Sequence, residues 1–404
     1  MEEWKEYKIS DVCKIRHGFA FKGAYFTNEK QPYICVTPGN FDIKGGFKLS
    51  KPKYYHGPIP NDYILNKDDL IVTMTDLSKD GDTLGYSAII PQIRDITFLH
   101  NQRIGLVESI ASNISKHFLY WVMRTPEYQK YIVNCCSGST VKHTSPKLIG
   151  TYVFKAPDPE TQEEIASLLN NLDAKIELNR RINDNLEQQA QALFKSWFVD
   201  FEPFKDGKLV DSELGMIPEG WRVGNLLDIA KLYDAKRKPL SSRERENMKK
   251  IYPYYGATSI MDYVDKYIFD GTYLLMGEDG SVMDDKGYPY LQYVFGKFWS
   301  NNHAHVMQGK NNFSTEMLHC LLLKKNISPI VTGAVQAKIS QANMRKILIT
   351  QPPHEITIIF SSLIKPIYEI RKKNELENQR LSILRDTLLP KLMSGKLKIN
   401  DINN

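Results

Sequence analysis

The sequence predicts an α+β protein in which two β-rich domains are separated by an intramolecular antiparallel coiled coil of two long helices. Two apolar heptad patterns predict the helices, and short apolar runs bounded by turn residues predict the strands. An offset of 195 residues relates the two halves of the chain, so we expect a pseudo-twofold tandem repeat. The predicted segments are residues 1–157, 158–200, 201–352 and 353–404.

The first long helix is predicted over residues 158–200. Asp158 is a favourable N-cap, Pro159 suits the first helical position, and the apolar pattern runs unbroken to Pro203. Because a narrow apolar stripe on a helix of about forty residues cannot stay exposed to water, it needs a partner. One seam position is assigned to Ile165, Leu172, Asn179, Leu186 and Leu193, and the other to Leu168, Ile176, Ile182 and Trp197.

The partner is predicted in the same chain, over residues 353–404. Asn179 falls on Asn374 at the 195-residue offset, and a repeated polar interruption is typical of residues that fix helix register. In an antiparallel pair these two residues should lie near each other at mid-length. The first helix carries 4 basic and 9 acidic residues and the second 9 and 6, which favours pairing of the unlike helices. Pro390 is expected to kink or end the second helix, and Gly395 to close it. Its seam residues are Phe360, Ile367, Asn374, Leu381 and Leu388.

The β-rich domains are alike at their ends and differ in their middles. A common frame that carries two different recognition surfaces gives this pattern, and so does drift in loops. The aligned pieces are residues 4–11 with 221–228, 137–157 with 332–352 and, more faintly, Asn101 with Asn302.

Composition indicates an ordinary globular protein of 404 residues with a net charge of +6. Five cysteines form no CxxC pair, which indicates a reduced, intracellular protein, and no targeting segment or membrane-spanning apolar run is present. We therefore expect a cytoplasmic protein. Residues 1–157 carry 20 basic and 15 acidic side chains, and residues 201–352 carry 20 and 17. Two mildly positive segments suit two phosphate-facing surfaces, although solvated surfaces give the same counts.

Motifs for catalysis are weak or missing. The sequence has no glycine-rich cofactor loop of a methyltransferase and no GxxxxGK[ST] loop for ATP. Asp279, Asp284 and Asp285 form an acidic turn that leaves a magnesium-dependent nuclease as an alternative. His303 and His305 share a predicted strand face, but two histidines lack the further ligands of a metal site. No metal site is predicted.

Nucleic-acid contacts are better supported, because the candidate residues recur at matching places in the two halves. Basic, amide and histidine side chains lie in turns and loops, where they are suited to phosphate contact or to reading base edges. The candidates in the first half are Arg16, Lys22, Asn101, Gln102, Arg103, Lys142 and His143. Those in the second half are Lys236, Arg237, Lys238, His303, Gln336 and Lys338.

Three stretches resemble the specificity subunit of type I restriction-modification enzymes. AKIELNRRINDNLEQQAQALFKSWFVDFEPF (174–204) resembles the central conserved region of that family, and NELENQRLSILRDTLLPKLMSGKL (374–397) resembles its C-terminal conserved region. MTDLSKDGDTLGYSAIIP (74–91) resembles a stretch that is common in its recognition domains. The resemblance covers essentially the whole chain.

The resemblance implies a non-catalytic subunit with two target recognition domains, each reading one half of a split site in double-stranded DNA. It also implies two methyltransferase subunits docked on the helices, with restriction subunits recruited through them. S-adenosylmethionine, ATP and Mg²⁺ are then expected on the partners and no cofactor in this chain. We assign the docking surface to the outer helix faces; the alternatives are the stand-alone nuclease and a coiled-coil scaffold without a DNA role. The assigned docking residues are Arg180, Arg181, Lys195, Trp197 and Phe198.

Overall fold

The structure, a computed structural model, describes residues 4–49, 51–76, 78, 81–138, 141–333 and 336–401. The chain forms two compact units. The first comprises residues 1–176 and 379–404, and the second comprises residues 177–378. Each unit therefore contains one part of each long helix. In the part of the chain that is described, no helix is long and apolar enough to cross a membrane.

The first unit combines short strands with four short helices and one part of each long helix. Its strands are β1 (Lys5–Lys8), β2 (Lys14–His17), β3 (Phe26–Thr27), β4 (Tyr33–Val36), β5 (Tyr54–Tyr55), β6 (Ile64–Leu65), β7 (Leu70–Thr73), β8 (Thr75–Asp76), β9 (Ser87–Ile89), β10 (Thr97–His100), β11 (Ile104–Glu108), β12 (Lys142–His143) and β13 (Val153–Ala156). Its helices are α1 (Ile9–Val12), α2 (Lys116–Val122), α3 (Pro126–Asn134), α4 (Pro146–Gly150), the start of α5 (Pro159–Phe198) and the end of α10 (His354–Met393).

Two larger sheets form the body of the first unit. One has the order β3-β5-β4-β10-β6, with β4 and β10 parallel, and the other has the order β2-β11-β7-β9. Every residue of β7 is buried because this β-branched strand lies between two neighbours inside its sheet. Ser115 and Thr125 accept hydrogen bonds from the backbone N–H groups of Phe118 and Tyr128 and so cap α2 and α3 at their N-termini.

The second unit repeats this plan with longer strands. Its strands are β14 (Leu209–Val210), β15 (Ile217–Pro218), β16 (Arg222–Asn225), β17 (Ala230–Leu232), β18 (Tyr252–Tyr255), β19 (Ile260–Val264), β20 (Phe269–Gly277), β21 (Leu291–Ser300), β22 (Ala304–Gly309) and β23 (Leu348–Gln351). Its helices are the end of α5, then α6 (Leu226–Ile229), α7 (Ser242–Glu246), α8 (Thr315–Leu323), α9 (Gln341–Met344) and most of α10 (His354–Met393).

One large sheet holds the second unit together, in the order β17-β22-β20-β21-β18-β19. β18 and β21 are parallel, as β4 and β10 are in the first unit. β16 pairs with β23 just as β1 pairs with β13, so the two ends that align in sequence form the same strand pair in both units. The repeat predicted from sequence is therefore present in the topology.

The two predicted long helices are confirmed, each with forty residues. Asp158 caps α5 as predicted, since its carboxylate accepts hydrogen bonds from the backbone N–H groups of Glu160 and Thr161 at 3.0 and 3.1 Å. Pro390 was expected to kink or end the second helix, and the structure excludes the second outcome: α10 continues to Met393, before Gly395 with φ +70°.

A second proline, Pro366, lies in the middle of α10 and was not among the predicted helix breakers. The helix runs through it although proline removes one backbone hydrogen bond. Ile364 and Tyr368, on either side of this proline, are almost fully buried. Tertiary packing therefore holds the helix where its local sequence disfavours it.

In the second unit the helices run antiparallel and meet through asparagines. Nδ2 of Asn179 donates to Oδ1 of Asn378 at 2.9 Å, and Nδ2 of Asn374 donates to Oδ1 of Asn183 at 2.9 Å. The 195-residue offset converts one pair into the other. The predicted neighbours Asn179 and Asn374 thus belong to one group, but each bonds to a different asparagine, one helical turn along.

In the first unit the helix segments meet through charge. Arg385 donates to Oδ1 of Asp173 at 2.6 Å, and Arg124, just after the end of α2, donates to the other oxygen at 2.5 Å. Burial tends to raise the pKa of Asp173, but the two guanidinium groups outweigh it and hold the pKa below its usual value. This carboxylate joins α5, α10 and the turn between α2 and α3.

The helix seam is shifted by about one residue from the predicted one. Ile165, Ile176, Asn179, Phe360 and Asn374 are buried as predicted, whereas Leu169 is fully buried in place of Leu168. Ile182 is 37% exposed and is not a seam residue. The remaining predicted seam residues are half-buried, namely Leu172, Leu186, Leu193, Ile367, Leu381 and Leu388.

Candidate nucleic-acid interface

In the first unit, a tight turn between β10 and β11 is held by the side chain of Asn101. Its Oδ1 accepts the backbone N–H of Arg103 at 3.0 Å, and its Nδ2 donates to Sγ of the buried Cys35 at 3.2 Å. The backbone N–H of Gln102 donates to the carbonyl of Phe19 at 2.9 Å. The Asn101 side chain thus makes its hydrogen bonds within the protein, while Gln102 and Arg103 are exposed at the turn.

The loop that carries Lys142 and His143 lies beside this turn. Met74 connects them, because its N–H donates to the carbonyl of Arg103 at 2.9 Å and its carbonyl accepts from Thr144 at 3.0 Å. Nδ1 of His143 lies 3.2 Å from the Thr75 hydroxyl. The structure therefore brings together the candidates from two distant stretches. The aligned stretch 137–157 includes Ser139 and Thr140, and the stretch 74–91 includes Leu77, Lys79 and Asp80, all of which lie outside the described residues.

The two other candidates of the first unit are placed differently. Arg16 sits on β2, donates to Glu108 at 3.1 Å and to the carbonyl of Asp62 at 3.2 Å, and lies over the Tyr63 ring. Its guanidinium is therefore engaged along the strand rather than presented at the turn. Lys22 is exposed.

The second unit has the same turn, between β21 and β22. Oδ1 of Asn301 accepts the backbone N–H of His303 at 2.8 Å, and its Nδ2 donates to Sδ of Met261 at 3.3 Å. The structural counterpart of Asn101 is therefore Asn301, which corrects the alignment of Asn101 with Asn302. Asn302 is exposed, and His303 is half-exposed with Nδ1 2.5 Å from the Asp279 carboxylate.

The loop beside the turn is repeated as well. In the first unit Ser137 and His143 exchange two backbone hydrogen bonds, and Thr332 and Lys338 do the same in the second, at 2.9 and 2.7 Å. This pair lies at the 195-residue offset. The predicted counterparts Gln336 and Lys338 are exposed. Ala334 and Val335, in the same loop, lie outside the described residues.

A buried ion-pair group lies beside the Asn301 turn of the second unit. This group, the Arg237 cluster, consists of Asp234, Arg237, Glu278 and His305. Arg237 donates to Glu278 at 2.5 Å and to the carbonyl of Ala304 at 2.6 Å, and its side chain is only 11% exposed. His305 lies with Nδ1 2.6 Å from Asp234 and Nε2 2.8 Å from the carbonyl of Ile339. The predicted contact residue Arg237 is therefore an internal support, whereas its neighbours Lys236 and Lys238 are exposed.

The electrostatics of the Arg237 cluster favour the charged form of Asp234. Burial tends to raise the pKa of Asp234, but hydrogen bonds from His305, the backbone of Val306 and Gln341 outweigh it and hold the pKa below its usual value.

In the first unit, burial lowers the pKa of His100 to about 4, so its ring is neutral and its Nε2 donates to the carbonyl of Ile104 at 2.9 Å.

The acidic turn proposed for a nuclease is not assembled into a metal site. Asp279 pairs with His303, and Asp284 accepts backbone N–H groups of Lys286 and Tyr288 within its own turn. Among the described residues, only one place brings together the ligand atoms of three or more His, Cys, Asp or Glu side chains, namely Asp234, Glu278 and His305. There the guanidinium of Arg237 supplies the positive charge. The arrangement is that of a structural ion-pair group.

The predicted docking residues divide into two groups. Arg180, Arg181 and Lys195 are exposed on α5. Phe198 is 6% exposed and packs edge-on against Phe360 at 4.6 Å between ring centroids, and the Trp197 ring lies 5.6 Å from the same phenylalanine. This corrects the placement of Trp197 and Phe198, because they belong to the packed end of the helix.

Two residues at this turn were not predicted from the sequence, Asn301 and Met261. The repeated asparagine was visible in His100–Asn101 and Ser300–Asn301, but Asn302 aligned equally well and hid the equivalence. Nothing in the sequence connects Met261 to a turn forty residues away.

Comparison with known proteins places these features in one family. A family model described as "Type I restriction modification DNA specificity domain" matches residues 1–188 and 218–378. The chain belongs to this family. It is accordingly a specificity subunit of the type I restriction-modification class, a non-catalytic component.

Relatives within this specificity family span most of the chain. The MjaIX specificity subunit of Methanocaldococcus jannaschii is 29% identical over 72% of this chain and 71% of its own length. The HindI specificity subunit of Haemophilus influenzae is 25% identical over 98% of this chain and its full length. The crystal structure of the S subunit from M. genitalium matches 97% of this chain and 96% of its own with a TM-score of 0.53 and 15% identity, a likeness of fold.

Proposed function

We propose that the chain binds DNA and sets the bipartite target of a type I restriction-modification complex. Residues 1–157 read one half-site and residues 201–352 read the other. The target is two short defined sequences separated by an undefined spacer of fixed length, and the pairing of α5 and α10 supports that fixed spacing.

The observation that carries this proposal is the repeated asparagine-held turn. Asn101 and Asn301 make the same two side-chain hydrogen bonds, one to a backbone N–H and one to a sulfur atom. The residues that these turns present differ, since the first presents Gln102 and Arg103 and the second Asn302 and His303. A common frame with different exposed donors and acceptors is what reading of two different half-sites requires, because amide and guanidinium groups discriminate bases by paired hydrogen bonds.

The rest of the assembly follows from this role. Two methyltransferase subunits dock on the exposed faces of the helices and bring restriction subunits with them. On α5, Arg180 and Arg181 lie near the exposed apolar residues Leu178 and Ile182, so this face combines charge and apolar area. S-adenosylmethionine, ATP and Mg²⁺ bind to the partner subunits, and the chain itself holds no cofactor. The complex works in the cytoplasm.

The proposal is tested by mapping methylation in cells with and without the chain, using long-read sequencing. We expect methylation at one split motif that disappears without the chain. Arg103→Ala should relax one half of that motif by a factor of about 5 to 150 per lost base contact and leave the other half unchanged.

Arg94→Ala is the matched control. Arg94 is 95% exposed and precedes β10, at the opposite end of this strand from Asn101. The proposal fails if methylation is independent of the chain, or if Arg94→Ala relaxes the motif as much as Arg103→Ala does.

A further inference from the structure

Met261 is a large apolar side chain that is 55% exposed and nevertheless held in place. It lies on β19, the edge strand of the six-stranded sheet. Its sulfur accepts the amide of Asn301, and a Cβ added at Gly256 would lie only 2.5 Å from this sulfur. Gly256 therefore leaves the space that Met261 occupies. The position of this apolar group is fixed by the same asparagine that holds the turn.

The surroundings of Met261 are cationic and rich in amides. Asn301 is followed by the exposed Asn302, whose carbonyl lies 3.4 Å from the Arg237 guanidinium. The exposed Lys238 is held beside the turn, since its N–H donates to the carbonyl of Ser300 at 3.4 Å and its own carbonyl accepts from Trp299 at 2.6 Å. Residues 231–250 contain eight Lys or Arg and three acidic residues. A polyanion complements this edge better than an apolar protein surface does.

Double-stranded DNA offers one strong apolar feature at base edges, the C5-methyl group of thymine in the major groove. The paired adenine presents the acceptor and donor that an asparagine side chain matches. We propose that Met261 contacts the C5-methyl group of a thymine in the half-site read by the second unit, with Asn302 beside it facing the same A·T pair. This inference rests on the proposed function and adds a specificity-determining residue to it.

The first unit uses a sulfur from a different strand for this contact, on β4. There the sulfur that accepts the turn asparagine belongs to Cys35, which is completely buried. Methyl recognition through this sulfur-bearing position is therefore a property of the second half-site alone. This asymmetry gives the experiment an internal control.

Uracil in place of thymine removes only the methyl group, so it isolates the contact. Once the motif is known from methylation mapping, each thymine of the second half-site is replaced in turn in a synthetic duplex. Affinity is measured by fluorescence anisotropy with the full chain co-expressed with its methyltransferase subunit. One replacement should weaken binding by the wild-type chain about fourfold, the factor for burying about one methyl group. The Met261→Ala variant should bind the thymine and uracil duplexes equally.

Met216→Ala is the matched control, because Met216 is similarly exposed in the same unit, and this variant should keep the fourfold preference. The proposal is overturned if no uracil replacement in the second half-site matters, or if Met261→Ala keeps the preference. It is also overturned if Met261→Ala loses only the methyltransferase subunit, which would make this edge a protein-docking surface. Failure of the wild-type complex to prefer its motif over unrelated duplexes would instead refute the proposed function.

Discussion

Replacing Arg237 with methionine should loosen one edge of the second unit without affecting the first. The substitution removes the partner of a buried carboxylate, a loss of about 3–5 kcal/mol when the remaining charge is uncompensated. The lower end applies here, because Glu278 keeps Lys338 at 3.8 Å and Asp234 keeps His305 at 2.6 Å. We therefore expect a local loss of about 3 kcal/mol, which corresponds to roughly 150-fold faster exchange of the amides that the Arg237 cluster protects.

Hydrogen–deuterium exchange measures this loss directly. The reporting amides are those of Val306, which donates to Asp234 at 2.9 Å, and Ile339, which donates to the carbonyl of Glu278 at 2.8 Å. Arg237→Lys keeps the charge but not the planar fork, so its effect should be intermediate. Lys236→Met, next to it on the exposed side, should change exchange less than threefold. A change below tenfold in Arg237→Met would refute the idea that this guanidinium holds the edge together.

Three further predictions concern stability, each measured by urea unfolding. Because burial lowers the pKa of His100 to about 4, the first unit should be most stable above about pH 6.5. Its free energy of unfolding should decrease by about 3 kcal/mol as the pH falls from about 6.5 to about 4. His100→Gln should abolish this dependence, and an unchanged slope would contradict the assignment. Leu169→Ala should cost about 2–5 kcal/mol because Leu169 is fully buried, whereas Leu178→Ala should cost less than about 1 kcal/mol; equal losses would place the seam elsewhere. Asn179→Leu should cost about 1–3 kcal/mol by leaving Asn378 without its donor, and adding Asn378→Leu should recover most of this loss. An unchanged free energy of unfolding in Asn179→Leu would show that the pair contributes nothing.

The sequence was most informative about the long helices, because their pattern recurs many times and twice over. Apolar spacing, the Asp158 cap and the 195-residue repeat all pointed to the same pair. The seam was nevertheless shifted in places, since Leu168 and Leu169 are adjacent and periodicity alone does not say which one faces the partner. The same limit applies to Trp197 and Phe198, whose aromatic rings lie in the packed end of the helix instead of on its outer face.

The candidate interface was harder to predict because it is assembled from distant segments. The repeated loops placed Lys142, His143 and Lys338 at matching positions, and the structure retains that equivalence. Sequence could not show that Arg237 is buried, because its partner Glu278 is 41 residues away. Nor could it show that Asn101 is used within its own turn, since an asparagine that reads a base and one that caps a turn have the same local sequence.

The composition of the first unit has a consequence for how the protein is made. Leu389 and Leu392 belong to the core that also contains Ile9 and Phe118, and a Cβ added at Gly395 would lie 3.0 Å from the Trp4 ring. A ribosome completes residues 177–378 before it delivers these leucines. The unit whose chain emerges first is therefore the one that matures last, with an apolar flank that stays open until Leu389 and Leu392 have left the ribosome.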